Sequence, residues 1–107
     1  MTLPPPILAY IDADRRCDGA ALIAAFAPDA VVRDEGGSHA GHEAIDAWWR
    51  AAKAKYAHVI EPLEMSETDG VAKVIARVSG QFPGSPATLV FAFRIENGRI
   101  AGLEIAP

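Results

Sequence analysis

The chain has 107 residues, half of them hydrophobic and 22% charged, with a net charge of −4. Such a chain makes one globular domain that needs no metal or disulfide staple, not a disordered one. Its acidity leaves no basic footprint for nucleic acid or an anionic membrane, no apolar run could span a bilayer, and the single Cys17 cannot form an internal disulfide.

In chain order, Met1-Thr-Leu-Pro-Pro-Pro lacks the basic and apolar regions of a signal peptide, so a cytoplasmic location is expected. Ile7, Tyr10 and Ile11 then recur at helical spacing, with Asp12, Asp14 and Arg15 elsewhere around the turn. The prolines ahead of them suit a first helical turn, whose leading N–H groups have no partner anyway. Asp18 is a good N-cap for a second helix with Leu22, Ile23 and Phe26 on its apolar side, and Pro28-Asp29 is expected to break it. A short strand over Ala30–Asp34 follows, then a glycine loop. A third helix is expected over His42–Lys55, with Ile45, Trp48, Trp49 and Ala52 as its buried stripe and Asp46 paired to Arg50.

The rear half reads as strands over Val59–Met65, Val71–Ser79, Thr88–Ile95 and Arg99–Ile105. Asp69-Gly70, Pro83-Gly84 and Asn97-Gly98 separate them, and Asn-Gly between two alternating runs is a strong hairpin signal. Leu89, Phe91, Phe93 and Ile95 share one face of the third of these strands. Three helices followed by an antiparallel meander predict an α+β fold over residues 1–107, with the helices on one face of the sheet.

Asp34 is the first candidate for chemistry. Alternation places it on the same face as Ala30 and Val32, at the mouth of the glycine loop, with Arg33 on the other face. A carboxylate desolvated by apolar neighbours is expected to titrate above its ordinary value and to suit proton transfer on a small molecule. The alternative is a strand-end acid that solvates a turn. A neutral His39 is placed to act as a second base or to orient Asp34.

Other groups are weaker candidates. Asp34, Glu35, His39, His42 and Glu43 hold possible metal ligands, but they straddle a loop with no fixed geometry, so no metal and no cofactor is expected. Cys17, just before a helix cap, reads as an inert and partly buried thiol. The glycines at 36, 37 and 41 lack the lysine and hydroxyl residue of a phosphate loop. Trp48 and Trp49 cannot face the same way, so one packs inside and the other lines a pocket mouth or a subunit contact. Phe82, in the proline-bearing loop 80–86, suits a lid, a partner surface or a plain hairpin loop.

The run Tyr10…Asp18-Gly19…Phe26-Ala-Pro-Asp-Ala-Val-Val-Arg-Asp34…Gly41-His-Glu-Ala-Ile45…Trp48 resembles the nuclear transport factor 2-like superfamily. Within it, the polyketide-cyclase (SnoaL-like) and ketosteroid-isomerase branches are the most similar. The resemblance implies a cone of three helices on a strongly curved, mostly antiparallel sheet, with an internal pocket. Tyr10 and Asp34 match the isomerases' first-helix tyrosine and first-strand aspartate base. Phe91 stands where those enzymes carry a protonated aspartate, so the oxyanion set is incomplete.

The implied ligand is a small, largely hydrophobic molecule, walled by Trp48, Phe91 and Phe93 in a pocket of roughly 300–600 Å³. The implied activity is cofactor-independent isomerisation, cyclisation or dehydration, and the alternative is a non-catalytic ligand-binding or dimerisation module. The resemblance also implies a homodimer through the outer sheet face, where Val90 and Ala92 lie between Thr88 and Arg94.

Overall fold

The computed structural model describes residues 1–107. Its elements are α1 (Pro5–Arg15), α2 (Gly19–Ala24), β1 (Phe26–Asp34), β2 (Gly37–Ala40) and α3 (Gly41–Tyr56), then β3 (Val59–Thr68), β4 (Val71–Ser79), β5 (Ala87–Glu96) and β6 (Arg99–Ala106). The fold is α+β, with three helices and one six-stranded curved sheet in the order β2-β1-β6-β5-β4-β3. All neighbours are antiparallel except β1 and β6, which run parallel.

Local chemistry sets these boundaries. Pro5 and Pro6 open α1, where their missing N–H groups cost nothing. The helix ends where Cys17 takes a left-handed conformation and the Asp18 N–H reaches back to the Ala13 carbonyl. Cys17 is exposed there, not partly buried. The Asp18 carboxylate then caps α2 through the Ala21 N–H at 3.1 Å. Two-residue turns with positive φ at both positions, Asp69-Gly70 and Asn97-Gly98, close the β3–β4 and β5–β6 hairpins.

Three expectations need correction. Pro28 does not end α2, which stops at Ala24; Phe26 is not on that helix but opens β1, four residues ahead of the expected Ala30, and the proline lies within the strand, where the register against β6 shifts between Phe26 and Val31. Proline removes a ladder donor, so it is tolerated where pairing is already interrupted. Residues Gly37–Ala40 are not plain loop but a short edge strand, because Glu35 and Gly36 both adopt positive φ and fold the chain back on β1. Finally, Asp14 does not lie off the buried side of α1. It sits one turn beyond Tyr10 on the same stripe and is 1% exposed.

One hydrophobic cluster joins helices and sheet, drawing on Ile7, Tyr10, Leu22, Ile45 and Trp49 with Val32, Val74 and Phe93. Tyr10 is held edge-on between Phe26 at 5.7 Å and Phe93 at 5.6 Å. Such pairs contribute about 0.5–1.5 kcal/mol each beyond area burial and fix the ring's orientation.

Candidate functional site

A cavity of about 330 Å³ opens among the helices and the sheet. Its wall is mainly apolar, with Trp48, Ala52, Ile60, Val78, Leu89 and Phe91 contributing. Tyr10, Asp34 and His58 bring polar atoms to it, from α1, the end of β1 and the link between α3 and β3. An apolar cavity with a few convergent polar groups is the ordinary form of a small-molecule site.

Asp34 is half-buried and accepts a hydrogen bond from Trp48 Nε1 at 3.1 Å. Burial raises its carboxyl above the ordinary value, and the neighbouring Glu35 adds to this. The Trp48 bond and the nearby His39 oppose the shift without cancelling it. An acid of this kind accepts and returns a proton more readily than an ordinary surface aspartate.

Tyr10 is buried, and its hydroxyl is held well above its ordinary pKa, first by burial and then by the charges of Asp14 and Asp34. It is therefore a hydrogen-bond donor at neutral pH.

Behind His58 lies a polar cluster that sequence reasoning missed. Asp14 Oδ1 accepts from Trp49 Nε1 at 2.8 Å and lies 2.8 Å from His58 Nε2, while Oδ2 pairs with Lys53 Nζ at 3.2 Å. Lys53 also donates to the His58 carbonyl oxygen. Burial alone would raise the Asp14 carboxyl, but bonds from His58 and Trp49 and the charges of His58 and Lys53 hold it below its ordinary value. An ionised Asp14 accepts from Nε2–H, which leaves Nδ1 as the free nitrogen of a neutral ring.

His58 Nδ1 and the Tyr10 hydroxyl have no protein partner, yet no buried side-chain nitrogen or oxygen in the molecule lacks one. Both atoms therefore meet open space, and both residues line the cavity.

The path of the backbone places His58. Ala57 caps α3 in the left-handed conformation and turns the chain into β3. Gly80 lets the β4–β5 loop pass close by, since a Cβ there would lie 2.6 Å from the Tyr56 carbonyl oxygen. The loop brings Phe82 edge-on to Tyr56 at 5.8 Å, and Phe82 and Pro83 both line the cavity. Across the opening, the Tyr56 hydroxyl donates to Glu35 at 3.2 Å.

The other sequence candidates fall as follows. Tyr10, Asp34, Trp48 and Phe91 come together at the cavity, and Trp48 is the tryptophan that faces it. Phe93 does not line it; it stacks behind Phe91 at 6.2 Å and supports Tyr10. His39 sits beside Trp48, ring centres 6.0 Å apart, and does not reach the cavity wall. His42 bonds the Phe26 carbonyl oxygen at 2.9 Å, so the two histidines do not converge.

The SnoaL-like domain family matches residues 7–103. A Sinorhizobium meliloti protein provisionally described as a polyketide cyclase is 53% identical over 96% of this chain and 94% of its own, with a TM-score of 0.94. A Catenulispora acidiphila protein with a ketosteroid isomerase-like fold, in complex with trimethylamine, has a TM-score of 0.85 at 19% identity, covering 99% of this chain and 87% of its own. TerC, co-crystallised with polyporic acid, has a TM-score of 0.79 at 20% identity, covering 94% of this chain and 86% of its own. No functionally curated protein matches the sequence.

Proposed function

The chain belongs to the SnoaL-like domain family, and from that premise we propose that it binds a small hydrophobic molecule and performs cofactor-independent acid/base chemistry on it. The reaction classes are isomerisation, cyclisation and dehydration. Asp34 is the base, Tyr10 donates a hydrogen bond to the developing oxyanion, and Trp48 and Phe91 are walls of a cone-shaped enclosure. His39 tunes Asp34 by its charge rather than exchanging protons with the ligand.

The observation that carries this reading is a carboxyl raised by burial and a protonated phenol on one apolar cavity. Proteins of similar fold obtained with trimethylamine and with polyporic acid support a small molecule as the ligand class. The same reading takes the protein as cytoplasmic and homodimeric, paired through the outer sheet face around Val90 and Ala92. No helix is long and apolar enough to cross a membrane.

A second reading is a binding module without catalysis. It is favoured by Phe91, an apolar side chain where isomerases of this fold carry an acid. Exchange of α-protons in deuterated water, with 4-phenylbutan-2-one as probe, separates the two. The catalytic reading expects exchange by the native protein and its loss in Asp34→Asn. Quenching of Trp48 fluorescence by the ketone without exchange would favour the binding module.

A further inference from the structure

Asp34 is not the only group in the cavity equipped to move a proton. His58 also lines it and has an unpartnered, accessible Nδ1, while Nε2 is fixed by a carboxylate that is itself held by Trp49 and Lys53. A surface histidine needs no such backing. Here Trp49 and Lys53 of α3 hold one buried acid from α1, and that acid orients the ring of His58, a residue of the cavity wall.

Isomerisation by a 1,3-proton shift needs one base that takes a proton and returns it. Loss of water needs two groups, a base for the carbon and an acid for the departing oxygen. The cavity has both, on separate elements and with separate partners: Asp34 bonded by Trp48, and His58 bonded by Asp14.

We infer that His58 is a second catalytic residue, the general acid of a dehydration, and that the substrate class is a small apolar β-hydroxy carbonyl compound. The inference rests on the reading of Asp34 as a base. Asp34 removes the proton next to the carbonyl, and the C–H electron pair moves into an enolate whose oxygen accepts from Tyr10. As the carbonyl re-forms, that pair becomes the new C=C bond and the C–O bond to the hydroxyl breaks. Doubly protonated His58 gives its Nδ1 proton to the leaving oxygen, which departs as water. Asp34 ends protonated and His58 neutral, and one proton passed between them through solvent restores the start. Asp14 is a positioning residue: it fixes the tautomer and supports the imidazolium.

The test uses two probes on the intact protein. 4-Hydroxy-4-phenylbutan-2-one reports dehydration through absorbance of the conjugated enone, and 4-phenylbutan-2-one reports α-proton exchange alone. The native protein should do both. His58→Gln should lose about a hundredfold or more in dehydration, the ordinary weight of a general acid, and at least tenfold less than that in exchange. Asp34→Asn should lose both. Dehydration at the native rate in His58→Gln, with exchange still dependent on Asp34, overturns the inference and leaves the base reading standing. Absence of exchange in the native protein overturns both.

Nitrogen NMR of the histidine ring in the native protein guards against a variant that fails to fold. It should show the neutral His58 protonated on Nε2, shifting toward the other tautomer in Asp14→Asn. A native Nδ1–H tautomer would also overturn the inference.

Discussion

Trp48 and Trp49 are adjacent on α3, yet their indole N–H groups bond different carboxylates, the first Asp34 and the second Asp14. Successive helical residues point about 100° apart, so one dipeptide serves the cavity wall and the buried cluster behind it. The two acids respond in opposite ways: burial dominates at Asp34, while hydrogen bonds and charges dominate at Asp14.

Asp34 should limit stability at neutral pH. Its folded pKa is raised, so its contribution to stability is full below the unfolded value and is lost as pH rises through the folded one. Asp34→Asn keeps an acceptor for Trp48 and removes the buried charge. Its thermal midpoint should exceed that of the native protein at neutral pH and match it at about pH 3, below the ordinary carboxylate value. Thermal denaturation at both pH values checks this; a lower midpoint at neutral pH would count against it.

Asp14 should behave in the opposite sense. Its folded pKa is depressed, so its contribution is present above the unfolded value and is lost as pH falls through the folded one. Asp14→Ala strands Trp49 Nε1 and His58 Nε2 and leaves the Lys53 charge without its carboxylate, and breaking a buried pair this way costs about 3–5 kcal/mol. Urea denaturation at neutral pH should show that loss, and the gap from the native protein should narrow in acid.

Trp48→Phe removes the bond that opposes the upward shift of Asp34. The carboxyl should then titrate still higher, as followed by NMR of its side-chain carbon. An unchanged or lower value would mean that Trp48 does not hold Asp34 ionised.

The outer sheet face gives a fourth prediction. Val90 is only half-buried on the face away from Phe91, and its cross-strand partner is Ile75, also half-buried. Sedimentation at micromolar concentration should show a dimer. Val90→Glu should dissociate it, because an unpaired buried charge costs several kcal/mol. A native species near the 11.3 kDa chain mass would reject the dimer.

Much of the fold was legible because its signals are local. β4 has the expected bounds, the other rear strands extend theirs by one to three residues, and Asp34 falls on the expected face. The short β2 was hidden because Gly37–Ala40 has no apolar run, and only the turn at Glu35-Gly36 creates it. The Asp14–His58 pair was hidden for a different reason. Asp14 continues the spacing of Ile7, Tyr10 and Ile11, and an acid on an apolar stripe was the one available signal. Its partner lies beyond α3, and nothing near His58 marks it in the sequence. Tertiary packing alone joins them.

The parallel pairing of β1 with β6 has a consequence for how this cavity comes to exist. Residues Val31–Arg33, which carry the chain into Asp34, are seated in the sheet by Gly102–Glu104 of the last strand. During synthesis the N-terminal helices, β1 and β2 emerge long before that neighbour, and β1 cannot dock on it until the whole meander has been made. Non-local pairing of this kind slows folding and leaves a strand edge open in the interval. The β6-facing side of β1 should thus be among the last parts of the sheet to reach its final place, and hydrogen-exchange labelling during refolding should find the β1 amides that bond β6 protected after those of the β3–β4 hairpin.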